Sequence, residues 1–185
     1  NFKMDSNFPI EKIAIALNSK LKHSIRIKEA EEVEESFHSR YHCKKKTYRY
    51  VINNSEHGSA IYRGLEYHVP QKLDIDKMQE AIKHFIGEHD FSAFKASGTS
   101  SKSSVRTIYD AIIKKDGERI YIELTGNGFL YNMVRIITGT LLEVGMGKKE
   151  PCDIEKIIES KKRENAGKTV PAQGLFLVNV DYDRN

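Results

Sequence analysis

The stretch Phe129–Val144 constrains the fold of this chain more than any other. It follows a break at Gly126-Asn127-Gly128 and places Met133, Ile136, Ile137, Thr140, Leu141 and Val144 at helical spacing. Apolar side chains fill so much of its circumference that the helix must be covered on most sides. Gly145 and Gly147 end it. One cation, Arg135, stands inside this apolar run. A guanidinium cannot discharge by losing its proton, so burial there demands an anionic partner. The residues leave two other readings open: Arg135 turns to solvent, or it pairs with Glu143 further along the helix.

The remaining pattern supplies a sheet to cover that helix. Residues 9–21 read as a helix, with Ile10, Ile13, Ala14, Leu17 and Leu21 on one face and Pro9 in the first turn. Ser24 to Lys28 alternates like a strand, as does Lys46 to Ile52. A shorter strand covers Glu66 to Val69, stopped by Pro70. A helix runs from Asp74, its N-cap, to Ile86, with Gly87 as its stop. The Ser-rich, Gly-containing stretch Lys95 to Ser104 reads as a mobile loop. Strands Val105–Lys114 and Arg119–Leu124 form a hairpin through Asp116-Gly117. Helix Asp153–Ser160, a polar loop over 161–169 and strand Gly174–Tyr182 follow, the last with Leu175, Leu177, Asn179 and Asp181 on one side. Strands and helices mix without a regular βαβ repeat. The expected class is therefore α+β: a mixed, mainly antiparallel sheet with helices packed on one face.

Composition narrows the function. A chain of 185 residues with 39% hydrophobic and 30% charged residues is neither collagen-like nor wholly disordered, and it carries no apolar run able to span a membrane. Cys43 and Cys152 are no disulfide framework and fit a reducing, cytoplasmic setting. His38-x3-His42-Cys43 has metal-ligating residue types, but its helical spacing falls in a loop and strand region, so no metal is expected. No Gly-rich phosphate loop and no serine triad context appear. The net charge of +4 hides an asymmetry. Glu29 to Glu35 is acidic, whereas Arg40, Lys44, Lys45, Lys46 and Arg49 form a basic run interleaved with Phe37, Tyr41, Tyr48 and Tyr50. Cations with aromatic faces between them make a nucleic-acid footprint. The same run also reads as a lysine-protected strand edge. Tyr48 alone reads either as sheet surface or as a stacking platform for a base.

Four ordered segments carry a family resemblance. The run Thr125-Gly126-Asn127-Gly128-Phe129-Leu130-Tyr131-Asn132-Met133-Val134-Arg135 and its continuation to Gly145 resembles the hallmark of the tRNA pseudouridine synthase A family. Phe37-His38-Ser39-Arg40-Tyr41 followed by Lys46-Thr47-Tyr48-Arg49-Tyr50 resembles its F-x-A-R-F…K-T-Y-R-Y element. Asp90-Phe91-Ser92-Ala93-Phe94 with Val105-Arg106-Thr107-Ile108 resembles D-F-x-x-F…T-V-R-T-I, and Ala172-Gln173-Gly174-Leu175-Phe176-Leu177 its closing A-x-G-L-x-L segment.

The resemblance implies a cofactor-free isomerase that detaches a uracil from its ribose and reattaches it through carbon, in the anticodon stem-loop of tRNA. It implies a homodimer, and a base that leaves the helical stack to be reached. In the family the tyrosine matching Tyr48 lies against the target base, and the arginine matching Arg135 pairs with a catalytic aspartate. RNA contacts would fall to Arg40, Lys44, Lys45, Lys46, Arg49, Lys95, Lys102, Arg106, Asn127, Phe129 and Leu175. The family's aspartate belongs to a G-R-T-D-x-G-V-H-A motif. None of Asp5, Asp74, Asp76, Asp90, Asp110, Asp116, Asp153, Asp181 and Asp183 has that context. The expectation is a fragment: residues 1–36 as a remnant of an N-terminal lobe and 37–185 as a C-terminal catalytic and RNA-binding lobe, inactive by itself. The alternative is a non-catalytic RNA-binding or dimerisation module.

Overall fold

The computed structural model describes residues 1–98 and 103–182. The chain divides into two compact units, Asn1–His42 and Cys43–Asn185. The loop stretch 99–102, with Lys102, lies outside the described residues.

In the first unit the expected helix forms as α1, Ile10–Asn18. None of its residues is buried. The strand expected at Ser24–Lys28 does not form. Extended backbone becomes a strand only when another strand takes its N–H and C=O groups. Here the Asn18 side chain takes both from Ile27: Oδ1 accepts its N–H at 2.8 Å and Nδ2 donates to its carbonyl at 2.8 Å.

The second unit is a six-stranded sheet with helices on one face. Its strands are β1 (Cys43–Asn53), β2 (Tyr67–His68), β3 (Gly87–Asp90), β4 (Val105–Asp116), β5 (Arg119–Gly126) and β6 (Leu175–Tyr182). They run β2-β1-β5-β4-β3, with β6 also on β1. Only the β1–β2 pair is parallel. The helices are α2 (Ile75–Lys83), α3 (Met133–Gly145) and α4 (Asp153–Ser160). Asp74 caps α2 by accepting the Lys77 N–H at 3.0 Å. Asp116 pairs with Arg119, so the hairpin turn is Gly117-Glu118, with Gly117 at φ +56°.

Alternation sorts the side chains of this sheet. Tyr50 and Ile52 of β1 lie opposite Ile122 and Ile120 of β5, and Leu124 and Ile113 share their side. All six are buried among Met78, Ile82, Ile136 and Leu141 from the helices. The other face carries Thr47, Arg49, Tyr121, Glu123 and Thr125. Along β6 the alternation breaks. Tyr48 pairs with Leu177 but Thr47 with Asn179, so Val178 is an extra residue. A bulge of one residue moves everything beyond it to the opposite side. Leu175 and Leu177 therefore share the helix face, and Asn179 and Asp181 lie on the other, correcting the single-sided reading of this strand.

Helix α3 starts four residues later than its apolar pattern predicts. Asn132 takes a left-handed backbone, φ 60°, ψ 9°, which no α-helix can pass through. Asparagine is among the few residues that tolerate it. Eleven of the 13 residues of α3 are buried, and the two exceptions are Arg135 and Glu143. The middle of α3 is crossed by residues 166–170. The Gly167 N–H donates to Thr140 Oγ1 at 2.9 Å, and that hydroxyl donates to the Ile136 carbonyl at 2.9 Å. A Cβ on Gly139 would stand 1.9 Å from the Lys168 carbonyl oxygen. Gly139→Ala must push the crossing segment away, at a cost of about 1–3 kcal/mol. Urea unfolding should show the midpoint falling with the slope unchanged.

Candidate active site

Arg135 opens toward solvent at the first turn of α3 and is half-buried. Its Nε donates to the Val170 carbonyl at 2.7 Å and its Nη1 to Asn132 Oδ1 at 2.8 Å. The Val170 N–H in turn donates to the Arg135 carbonyl at 3.4 Å. Among the described residues no carboxylate pairs with this guanidinium, and Glu143 is engaged instead by Lys149 at 3.6 Å. Two of five N–H groups are thus fixed by neutral acceptors. The guanidinium is oriented, and its remaining donors, without a partner among the described residues, can receive an anion in a fork. Of the readings left open by the sequence, the ion pair with Glu143 is the one the structure does not show.

The residue after Val170 connects Arg135 to the tyrosines. Tyr50 donates its hydroxyl to the Pro171 carbonyl at 2.5 Å. Neighbouring carbonyls therefore hold the guanidinium and the phenol. Burial, and then Tyr67 nearby, push the Tyr50 phenol above its ordinary value of 10.0, against an opposing pull from Arg135. Tyr48 stands two residues along on the same side of β1. Its ring meets Phe129 edge-on, with centroids 5.1 Å apart and planes at 82°. Burial and then Cys43 raise its phenol above 10.0, so Tyr48 is neutral near pH 7. Leu175 lies opposite Tyr50 and packs on the core beside it. Tyr48, Phe129, Leu175 and Arg135 are thus gathered on the helix side of the sheet.

The other candidates divide between locations. Lys46 pairs with Gly126 and shares the side of Tyr48. Arg106 lies against Gly128, whose added Cβ would be 3.5 Å from its Nε, and Lys95 Nζ reaches Ser104 Oγ at 3.4 Å. Lys46 and Arg106 thus flank the turn that carries Phe129. Asn127 extends the β4–β5 ladder at its open end, its Oδ1 accepting the Thr107 N–H at 3.0 Å. Arg49 lies on the opposite face, donating from Nε and Nη2 to Glu123 Oε1 at 2.6 Å, above the Tyr121 ring. Lys45 pairs there with Asp181 at 3.3 Å. Lys44 and Lys45 line a groove of about 590 Å³ on that face with Thr47, Thr125 and Asn179. Arg40 belongs to the first unit, where it lies over Tyr41. Among the described residues no His, Cys, Asp and Glu cluster could hold a metal, and no helix is long and apolar enough to cross a membrane.

Sequence reasoning missed Asn132 and the Val170 carbonyl as the groups that orient Arg135. The one available signal was an asparagine three residues before the arginine, the spacing of neighbours on a helix face.

Two measurements check this geometry. Asn132→Gly and Asn132→Ala remove the same Oδ1, but only alanine is strained at φ 60°. Alanine should be the less stable of the two by about 1 kcal/mol in urea unfolding. The raised Tyr50 phenol contributes stability that is complete below its unfolded value of 10.0 and is lost as pH rises beyond it. Tyr50→Phe should flatten that alkaline loss of stability, read by thermal unfolding from pH 8 upward, while lowering stability at neutral pH by about 1 kcal/mol for the lost hydrogen bond.

A family profile described as tRNA pseudouridine synthase matches residues 81–183. Curated relatives include tRNA pseudouridine synthase A of Acetivibrio thermocellus, 52% identical over 182 residues, covering 98% of this chain and 75% of the relative. The same-named protein of Caldicellulosiruptor saccharolyticus is 50% identical, and that of Ruminiclostridium cellulolyticum 51%, each again over 98% of this chain and 75% of the relative. With half of its residues shared over nearly its whole length, the chain belongs to the tRNA pseudouridine synthase family.

Proposed function

We propose that this chain carries the base-contacting and acid-orienting half of a tRNA uridine isomerase acting in the anticodon stem-loop. The reaction breaks the N1–C1′ bond of uridine and forms a C5–C1′ bond. The C5 proton leaves, and N1 takes one up. No redox partner is needed. Tyr48 supplies a neutral ring for the extruded uracil, edge-packed on Phe129. Arg135 receives the catalytic carboxylate on the donors that Val170 and Asn132 leave open. Lys46, Lys95 and Arg106 meet backbone phosphates. A tRNA substrate and two free cysteines fit a cytoplasmic setting.

One observation carries this reading: an oriented guanidinium with no carboxylate partner among the described residues, holding the carbonyl next to the one that anchors Tyr50, two residues from Tyr48 on β1. A cation held there by neutral carbonyl acceptors is a prepared receptor for an anion. The carboxylate comes, in this proposal, from polypeptide outside these residues, since none of the aspartates present has the G-R-T-D context.

Tritium release from tRNA labelled at uridine C5 tests the proposal. The 185-residue chain alone should release none. The same chain joined to a segment that carries the G-R-T-D-x-G-V-H-A motif should release tritium. In that chimera Arg135→Ala should lower kcat by about 10²-fold or more, the scale for removing a preorganised charge partner. Turnover by the chain alone would refute the external acid. A chimera that binds tRNA yet releases nothing would refute the assignment of Tyr48 and Arg135.

A further inference from the structure

One stripe of α3 carries Arg135, Gly139, Leu142 and Glu143 at helical spacing, with Met146 just beyond the last turn; of its helix residues only Arg135 and Glu143 are not buried. Residues 167–170 cross that stripe at Gly139. On the far side of the crossing lies a cavity of about 550 Å³ floored by Leu142 and Met146. Its centre is about 10–15 Å from Arg135 along the helix, at 1.5 Å per residue. Three lysines surround it: Lys72 after β2, Lys148 beyond α3 and Lys168 on the crossing segment. All three are exposed. None has a carboxylate partner among the described residues. Glu143, the acid in the lining, is already paired with Lys149. The aromatic wall is Tyr67, half-buried against the core, with Lys168 Nζ 6.0 Å from its ring centroid.

An aromatic wall, an apolar floor and three ammonium groups without a carboxylate partner among the described residues form a constellation with a specific ligand chemistry. An acidic peptide would use the lysines but not the ring. An apolar ligand would use the floor but not the charges. A nucleotide within an RNA strand uses all of them: base on ring and floor, phosphates on the lysines. The volume is within the ordinary range for a small-molecule site. Tyr67 also lies near Tyr50, whose hydroxyl holds the Pro171 carbonyl next to the Val170 carbonyl held by Arg135.

We propose that this cavity is a second RNA-contact site, seating one nucleotide of the bound tRNA other than the uridine presented to Tyr48. The proposal rests on the reading of the chain as a tRNA-binding protein. Its role is to hold the RNA at a fixed distance along α3 from Arg135, which turns a general phosphate attraction into register.

Binding of unmodified tRNA to the 185-residue chain, measured by fluorescence anisotropy across a salt series, tests it. The triple variant Lys72→Ala, Lys148→Ala, Lys168→Ala should bind at least about 10-fold more weakly. Its log–log salt slope should be shallower by about two, given about 0.7–0.9 per phosphate contact. The triple Lys→Arg variant should restore the slope. Tyr67→Leu should weaken binding about 5-fold or more with the slope unchanged, the mark of lost stacking and not lost charge. A control with the same charge loss, Lys114→Ala, Lys115→Ala, Lys156→Ala, should change the slope less. Unchanged affinity and slope in the cavity triple would overturn this site and leave the functional reading standing. Equal losses for polyglutamate and for tRNA would also overturn it, exposing a general basic patch. No tRNA binding by the unsubstituted chain would overturn both.

Discussion

The crossing of residues 166–170 over α3 is the contact on which the rest of the second unit depends. It is possible only because Gly139 has no Cβ where the Lys168 carbonyl sits, and because Thr140 offers its hydroxyl to the Gly167 N–H. A buried crossing of two backbones leaves polar groups that must find partners. Here the carbonyls at the end of the crossing find Arg135 and Tyr50. The same contact that closes the core therefore aims the guanidinium and anchors the phenol. Stability and site geometry are not separable at this point of the fold.

The sheet keeps two chemistries apart. Its helix side holds the buried core, Tyr48, Phe129 and Arg135. Its other side holds cations that are already neutralised, Arg49 by Glu123 and Lys45 by Asp181. Exposed pairs of this kind contribute little to stability. Their effect is to cancel charge on one face, while Lys46 stands on the other beside Tyr48. A basic run in the sequence thus becomes a directed distribution, because strand alternation sends neighbouring residues to opposite sides.

Most of the fold was legible in advance for a local reason. The strands of the β4–β5 hairpin, the α2 cap at Asp74 and the apolar mass of α3 are each specified by residues close in sequence. The failures were equally local in form but not in cause. Ser24–Lys28 alternates like a strand, yet Asn18 takes the backbone groups of Ile27 that a neighbouring strand would need. The late start of α3 follows from one left-handed residue, Asn132, in a sequence whose apolar spacing runs on unbroken.

By itself the sequence determined the class of fold, the family, and the presence of one cation within an apolar helix, because periodicity and motif order are properties of the chain alone. Only the tertiary structure decided where that cation's N–H groups go. Their key acceptor, the Val170 carbonyl, lies 35 residues away, and no local pattern announces a backbone oxygen as a partner. The tertiary structure alone also decided which bases share a face with Tyr48 and where β6 turns over at Val178. A single extra residue in a ladder reverses every side chain beyond it, and that register is set by the pairing partner.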